Sequence, residues 1–96
     1  MLTYLKNRIL EEINDALDYM KKAVEYKGTT DGCTFRKMSE MELEHANALT
    51  RMFKNTEKPS GMADNDYATT QKAVLDAYIN AMGTIDTMKK LYWSEK

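Results

Sequence analysis

Residues 2–26 read LTYLKNRILEEINDALDYMKKAVEY, and this stretch has the spacing of a long helix with a wide apolar face. Placed at about 100° per residue, its apolar side chains gather on one side of the helix. The face consists of Leu2, Leu5, Ile9, Ile13, Ala16, Tyr19, Met20, Ala23 and Tyr26, and Leu10, Leu17 and Val24 widen it. A surface helix needs a narrower face, so the pattern predicts a helix that packs within a helical domain.

Two clusters of turn-forming residues divide the rest of the chain into two further helical segments. They span residues 27–32 and 55–66, and the second contains the only proline, Pro59. The segments are rich in Ala, Leu, Met, Glu and Lys, which favour helix. We expect helices over about residues 2–27, 34–56 and 66–93. The candidate N-caps are Asp31 or Thr34 for the second helix and Asp64 or Asn65 for the third.

The second and third segments also have apolar residues at helical spacing, and we expect both sets to be buried. In the second segment they are Phe35, Met38, Met41, Ala46, Leu49, Met52 and Phe53. In the third they are Tyr67, Val74, Leu75, Tyr78, Ala81, Met82, Ile85, Met88 and Tyr92. Asp76 lies opposite the apolar face of the third helix, which is the pattern of an amphipathic helix.

Length and composition predict one all-α domain over residues 1–96. The chain has 96 residues, 43% of them hydrophobic and 30% charged, with one proline and four glycines. So few turn formers exclude a β-sandwich. The 14 basic and 15 acidic residues are interspersed, so we expect no nucleic-acid partner. A chain of this size buries a limited core, and we therefore expect self-association or a bound metal to add stability.

The expected location is the cytoplasm. The single cysteine, Cys33, cannot form an intrachain disulfide, and no apolar segment of a secretion signal follows Met1. Charged residues interrupt every apolar run before it reaches the roughly 18 residues of a membrane span. We therefore expect no membrane association.

Three polar residues occupy positions on the predicted inward faces. Glu12 lies four residues before Ala16, whereas its neighbour Glu11 points about 100° away. Glu42 and His45 form a Glu-x-x-His motif, whose first and last residues project from the same side of a helix. A buried carboxylate needs a partner or a metal ion. Two carboxylates and one imidazole are donors suited to iron or manganese, and zinc is a further candidate.

The arrangement of Glu12, Tyr19 one heptad later, Glu42 and His45 resembles the N-terminal helical hairpin of ferritin-like proteins. The similarity covers about residues 5–55 and is greatest to the short encapsulated-ferritin type, then to half of a rubrerythrin or bacterioferritin. Longer members of the family carry a second copy of the motif, which this chain lacks. The resemblance therefore implies an antiparallel helical hairpin plus a third helix, which completes a ferritin-like four-helix bundle by homodimerisation.

The resemblance also implies a function for that homodimer or a higher homo-oligomer. Two copies of Glu12, Glu42 and His45 would hold two iron ions per dimer as catalytic and metal-binding residues. Glu42 would bridge the ions, while Glu12 and His45 would bind one ion each. Tyr19 would hydrogen-bond a ligand carboxylate. The implied activity is that of a ferroxidase or a peroxide-consuming enzyme.

One alternative from a different functional class is a non-catalytic helical homo-oligomeric module for interaction or assembly. It could contain a structural metal ion, and it explains the apolar faces equally well. The ferritin-like resemblance raises one further partner, an encapsulating protein shell. Residues 89–96 lack a glycine-rich linker followed by an apolar docking peptide, so the C-terminus gives no support to packaging in such a shell, which stays a possible partner.

Overall fold

The computed structural model describes residues 1–94, and these form helices without any strand. The elements are α1 (Leu2–Glu25), α2 (Thr30–Lys54) and α3 (Asp64–Tyr92). The prediction of an all-α chain is confirmed, and the predicted helices correspond to these three. Glu95 and Lys96, part of the C-terminal segment considered above, lie outside the described residues.

Helix α2 begins at Thr30 and not at residue 34, because a different residue caps it. Thr29 has extended backbone angles, and its side chain accepts a hydrogen bond of 3.0 Å from the Gly32 amide. The predicted caps Asp31 and Thr34 are both inside the helix. Gly28 has a φ of 85°, a left-handed conformation that suits glycine and turns the chain sharply after α1. The turn is short, so α1 and α2 form the predicted antiparallel hairpin.

Helix α3 begins at Asp64, after a longer connection. Its N-cap is Ala63, so the prediction of a cap at Asp64 or Asn65 was wrong. Asp64 and Asp66 lie in the first turn, where negative charge interacts favourably with the helix dipole. Gly83 does not interrupt the helix, which continues to Tyr92.

The helices run up, down and up, and α1 packs against both of the others. Contacts of α1 with α2 and α3 are extensive, whereas α2 and α3 meet at few positions. The bundle measures 53 × 18 × 15 Å. At one end, Lys27 Nζ donates to the Leu91 carbonyl at 3.2 Å and to Ser94 Oγ at 2.6 Å. The wide apolar face of α1 is explained by this central position.

Small side chains bring α1 and α2 close together. Ala16, Ala23 and Ala46 are fully buried, and Ser39 Oγ donates a 2.7 Å hydrogen bond to the Ala16 carbonyl. Gly32 is buried where α2 passes the end of α1. The buried apolar residues of the bundle are Leu2, Leu5, Ile9, Ile13, Ala16, Met20, Ala23, Leu43, Ala46, Phe53, Val74, Ala81 and Ile85.

The predicted inward face of α2 was partly wrong. Met41 and Met52 are 55% and 51% exposed, and the buried side chains of α2 include Ser39 and Thr50. The prediction assumed that the most hydrophobic side chains of α2 are the buried ones. Close helix packing instead selects small side chains at the α1–α2 seam and leaves these two methionines exposed. Tyr26 at the end of α1 is also exposed, contrary to prediction. In α3 the predicted face is buried or half-buried throughout.

None of the helices in the described part of the chain is long and apolar enough to cross a membrane.

Two isoleucines of α3 provide a matched test of the bundle. Ile85 is fully buried, whereas Ile79 is 64% exposed. Ile85→Ala is expected to lower the free energy of unfolding by about 2–5 kcal/mol, because it leaves a cavity. Ile79→Ala is expected to change it by about 0.5 kcal/mol or less. Urea unfolding followed by circular dichroism measures both, and equal effects would contradict the packing of α3.

Two glycines test the close approach of α1 and α2. A Cβ at Gly32 would overlap the Tyr26 carbonyl oxygen, whereas a Cβ at Gly83 would meet open space. Gly83→Ala is expected to stabilise the protein by about 0.5–1 kcal/mol through helix propensity. Gly32→Ala raises helix propensity by the same amount but is expected to destabilise the protein, because α2 must move away from the end of α1 to make room for the new methyl group. Thermal unfolding of the two variants checks the opposite signs, and a stabilised Gly32→Ala would contradict the contact.

Candidate metal centre

Glu12 lies at the centre of α1 on its packed side. It is 5% exposed, between the buried side chains of Ile9 and Ala16. The preceding residue, Glu11, is exposed, as the helical spacing predicts. The predicted burial of Glu12 is therefore correct, and its carboxylate must be compensated by groups of the protein or by an ion.

Helix α2 brings a second carboxylate and an imidazole to Glu12. Glu42 and His45 are one turn apart, and a polar atom of each side chain approaches the Glu12 carboxylate. His45 Nδ1 lies 3.5 Å from Glu12 Oε2 and 3.8 Å from Glu42 Oε1. One ligand atom from each of the three residues lies within 4.8 Å of the others. The structure thus brings Glu12, Glu42 and His45 into one cluster.

The cluster is at an open edge of the hairpin, not in a closed core. The Glu42 side chain is 21% exposed and that of His45 is 56% exposed, so the expectation of two buried residues was wrong for His45. Beside the cluster is an open hollow of about 360 Å³, lined by Arg8, Glu12, His45, Ala48 and Leu49. One side of the cluster is therefore accessible from outside the chain.

Arg8 is a further charged residue of the site, and the sequence analysis did not identify it. Its Nη2 donates to Glu12 Oε1 at 2.6 Å, and its Nη1 donates to Glu11 Oε2 at 2.8 Å. Arg8 lies four residues before Glu12, the spacing at which charged side chains meet on a helix. Arg8 could have been predicted from this spacing, because a buried carboxylate on a helix favours a basic residue one turn away.

The two carboxylates of the cluster hold one proton between them. The facing Glu12 carboxylate, together with burial, raises the pKa of Glu42 to about 7. The facing Glu42 carboxyl lowers the pKa of Glu12 below its ordinary value against the effect of burial, and Arg8 and His45 lower it further. Two adjacent carboxylates resist ionising together. Between about pH 4.5 and 7 the metal-free protein therefore favours a proton on Glu42 opposite an ionised Glu12.

The donor atoms fit a metal ion in both chemistry and spacing. Glu12 Oε2 is buried and accepts no hydrogen bond from the part of the chain that the structure describes. Two ligands at about 2.1 Å from one ion are about 3.0–3.4 Å apart. His45 Nδ1 is 3.5 and 3.8 Å from the two carboxylates, so a small inward movement of the side chains would bring the donor atoms to that spacing. Oxygen and imidazole nitrogen suit iron, manganese or zinc. Three donors leave coordination positions open.

Tyr19 is not part of the cluster. Its ring stacks on Phe35 with centroids 6.3 Å apart, and Phe35 in turn stacks on Tyr26 at 6.1 Å. Among residues 1–94 its hydroxyl makes no hydrogen bond to Glu12, Glu42 or His45. The position one heptad after Glu12 thus places Tyr19 in an aromatic stack between α1 and α2.

The shared proton predicts how the metal-free protein responds to pH. The raised pKa of Glu42 means that the folded state binds more protons than the unfolded state between pH 4.5 and about 7. The contribution of this pair to the free energy of unfolding is therefore largest near pH 4.5 and falls as pH rises to 7, by on the order of 2 kcal/mol. Below pH 4.5 it falls again, because the lowered pKa of Glu12 makes the unfolded state bind more protons.

Glu42→Gln is expected to remove the decline between pH 4.5 and 7 and to stabilise the metal-free protein at pH 8. Glu44→Gln is the control, because Glu44 is exposed on the same helix. Urea unfolding in the presence of a chelator from pH 4 to 8 measures the effect. A parallel decline in both variants would contradict the shared proton.

No protein-family model, curated protein or solved structure matches the chain. The functional interpretation of the cluster therefore depends on its own geometry and chemistry.

Proposed function

We propose that the protein is a ferritin-like di-iron protein that binds iron through Glu12, Glu42 and His45 at a site shared by two chains. The proposed activity is oxidation of Fe(II) by dioxygen or peroxide. The observation that supports it most directly is the convergence of three ligand atoms within 4.8 Å, one of them a buried and unpaired carboxylate oxygen. Leucine or alanine would pack at these positions without the cost of burying charge.

A second copy of the chain is the proposed source of the remaining ligands. The exposed side of α2 presents Met41, His45, Ala48 and Met52 at spacings of four, three and four residues, which places them on one helix face. Apolar side chains therefore flank the exposed imidazole on both sides. A two-fold pairing through this face would gather four carboxylates and two imidazoles, a set that matches a carboxylate-rich di-metal centre.

The roles of the chain's own residues follow from their positions. Ionised Glu12 and Glu42 neutralise bound cations, and His45 binds through a neutral ring nitrogen. Glu42 must give up its proton to become a ligand. When bound, a pair of iron ions supplies two electrons together to an oxidant such as peroxide. In the overall reaction two Fe(II) ions lose one electron each, and hydrogen peroxide takes up both electrons and two protons to form two water molecules.

The test is an anaerobic titration of the metal-free protein with Fe(II), followed by exposure to peroxide. Wild type is expected to bind about one iron per chain, to sediment as a dimer or larger oligomer, and to oxidise Fe(II) faster than buffer does. Glu42→Gln is expected to lower the iron affinity at least about tenfold. Mutation of residues that only hydrogen-bond to metal ligands already has an effect of that size, and Glu42 is a proposed ligand itself. Glu44→Gln is the matched control and should behave as wild type.

Iron binding that is unchanged in Glu42→Gln, or absent in wild type, would contradict the proposal. Circular dichroism of Glu42→Gln excludes loss of fold as the cause of lost binding. A rate of Fe(II) oxidation per chain that does not change with protein concentration across the monomer–dimer transition would contradict a site shared by two chains. It would instead favour a site within one chain.

A second candidate function is a non-catalytic homo-oligomeric interaction module, with or without a structural metal. One observation favours it: Arg8 and the proton on Glu42 already compensate the two carboxylates without any metal. Under this alternative the chain assembles through the same exposed face of α2. Assembly that is insensitive to a chelator, together with Fe(II) oxidation no faster than in buffer, would favour the module over the oxidase.

A further inference from the structure

We propose that Arg8 is a positioning and specificity-determining residue of the metal centre. It holds Glu12 so that only one of its oxygens can bind an ion, and its charge lowers the affinity of the site for trivalent cations relative to divalent cations. This inference depends on the proposed metal site.

The two oxygens of the Glu12 carboxylate have different surroundings. Oε1 accepts a hydrogen bond of 2.6 Å from Arg8 Nη2. Oε2 lies 3.5 Å from His45 Nδ1 and accepts no hydrogen bond from the residues described, 1–94. Hydrogen bonds between guanidinium and carboxylate are among the strongest in proteins. Arg8 therefore occupies one oxygen and orients the other toward His45 and Glu42.

A second carboxylate keeps the guanidinium in place. Arg8 Nη1 is 2.8 Å from Glu11 Oε2, so the guanidinium spans two consecutive glutamates of α1. The planar fork of arginine suits two simultaneous hydrogen bonds, which lysine cannot provide in this fixed geometry. Glu11, which the helical spacing places outside the inward face, thus supports the site by fixing Arg8.

The charge of Arg8 acts on any ion that shares Glu12 with it. Within one chain, the carboxylates of Glu11, Glu12 and Glu42 and the guanidinium sum to two negative charges when His45 is neutral. A divalent ion neutralises this set, and a trivalent ion leaves it with one positive charge. Each additional unit of ion charge is repelled by the guanidinium, which lines the same open hollow.

The size of this repulsion decides whether it can set selectivity. For charges a few ångströms apart near a protein surface, it amounts to about tenfold in affinity per unit of ion charge once solvent exposure is allowed for. Loss of positioning weakens binding of both ions alike, and that effect cancels in the ratio of their dissociation constants. The ratio therefore measures the charge of Arg8 separately from its structural role. In an iron-oxidising protein, the same repulsion would favour release of the oxidised ion.

The experiment compares Mn²⁺ with Tb³⁺ as divalent and trivalent probes. Dissociation constants are measured on the purified full chain by electron paramagnetic resonance of free Mn²⁺ and by tyrosine-sensitised Tb³⁺ luminescence. In Arg8→Gln, the affinity for Tb³⁺ relative to Mn²⁺ is expected to rise about tenfold over wild type. Arg8→Lys keeps the charge, so it is expected to keep the wild-type ratio while binding both ions more weakly.

Lys72→Gln is the matched control. Lys72 forms an ion pair of 2.6 Å with Asp76, four residues later on the exposed side of α3. The pair has the same spacing as that of Arg8 with Glu12. This variant should leave both dissociation constants unchanged. If wild type binds both probes and the Tb³⁺-to-Mn²⁺ affinity ratio of Arg8→Gln is within twofold of the wild-type ratio, the inference is overturned. The proposed metal site would then remain supported. If neither Mn²⁺ nor Tb³⁺ bound to wild type, the proposed function and this inference would both be overturned.

Discussion

A carboxylate cannot remain ionised inside a helical bundle unless other groups compensate its charge, and Glu12 is such a carboxylate. It belongs to α1, the helix against which both other helices pack, and it is 5% exposed. Arg8 pairs with one of its oxygens, while the protonated Glu42 and the ring of His45 face the carboxylate from α2. The remaining features of the candidate site depend on this requirement.

The packing of the hairpin determines how closely the compensating groups approach. Gly32, Ser39 and Ala46 let α2 lie close to α1, and the Ser39 hydroxyl ties the two backbones together. Larger side chains along this seam would separate the helices and spread the ligand atoms beyond the reach of one ion. The wide hydrophobic contact between α1 and α3 stabilises the hairpin from its other side. The core thus supports the cluster indirectly, by holding two helix backbones at a short distance.

The same cluster has two ways to satisfy its charges. Without a metal, one proton and one guanidinium compensate the two carboxylates, and the raised pKa of Glu42 reflects their mutual repulsion. A bound cation would replace the proton and relieve that repulsion. The exposed imidazole and the methionines beside it leave one side of the cluster open to a second chain. The features that weaken the metal-free protein near neutral pH are therefore those that favour binding of a cation.

Helical periodicity in the sequence was enough to predict an all-α chain, its main helices, the inward position of Glu12 and the pairing of Glu42 with His45. These follow from local rules, since residues three and four apart share a helix face whatever the helix packs against. Tertiary structure alone decided that Met41 and Met52 are exposed, that Thr29 caps α2 and that His45 lies at an open edge. The pairing of Arg8 with Glu12 follows a local spacing of four residues, whereas the approach of Glu42 and His45 to the same carboxylate required α2 to pack on α1. Helix rotation, cap choice and inter-helix ion pairing depend on the shapes and charges that meet between helices, and no single segment of sequence contains that information.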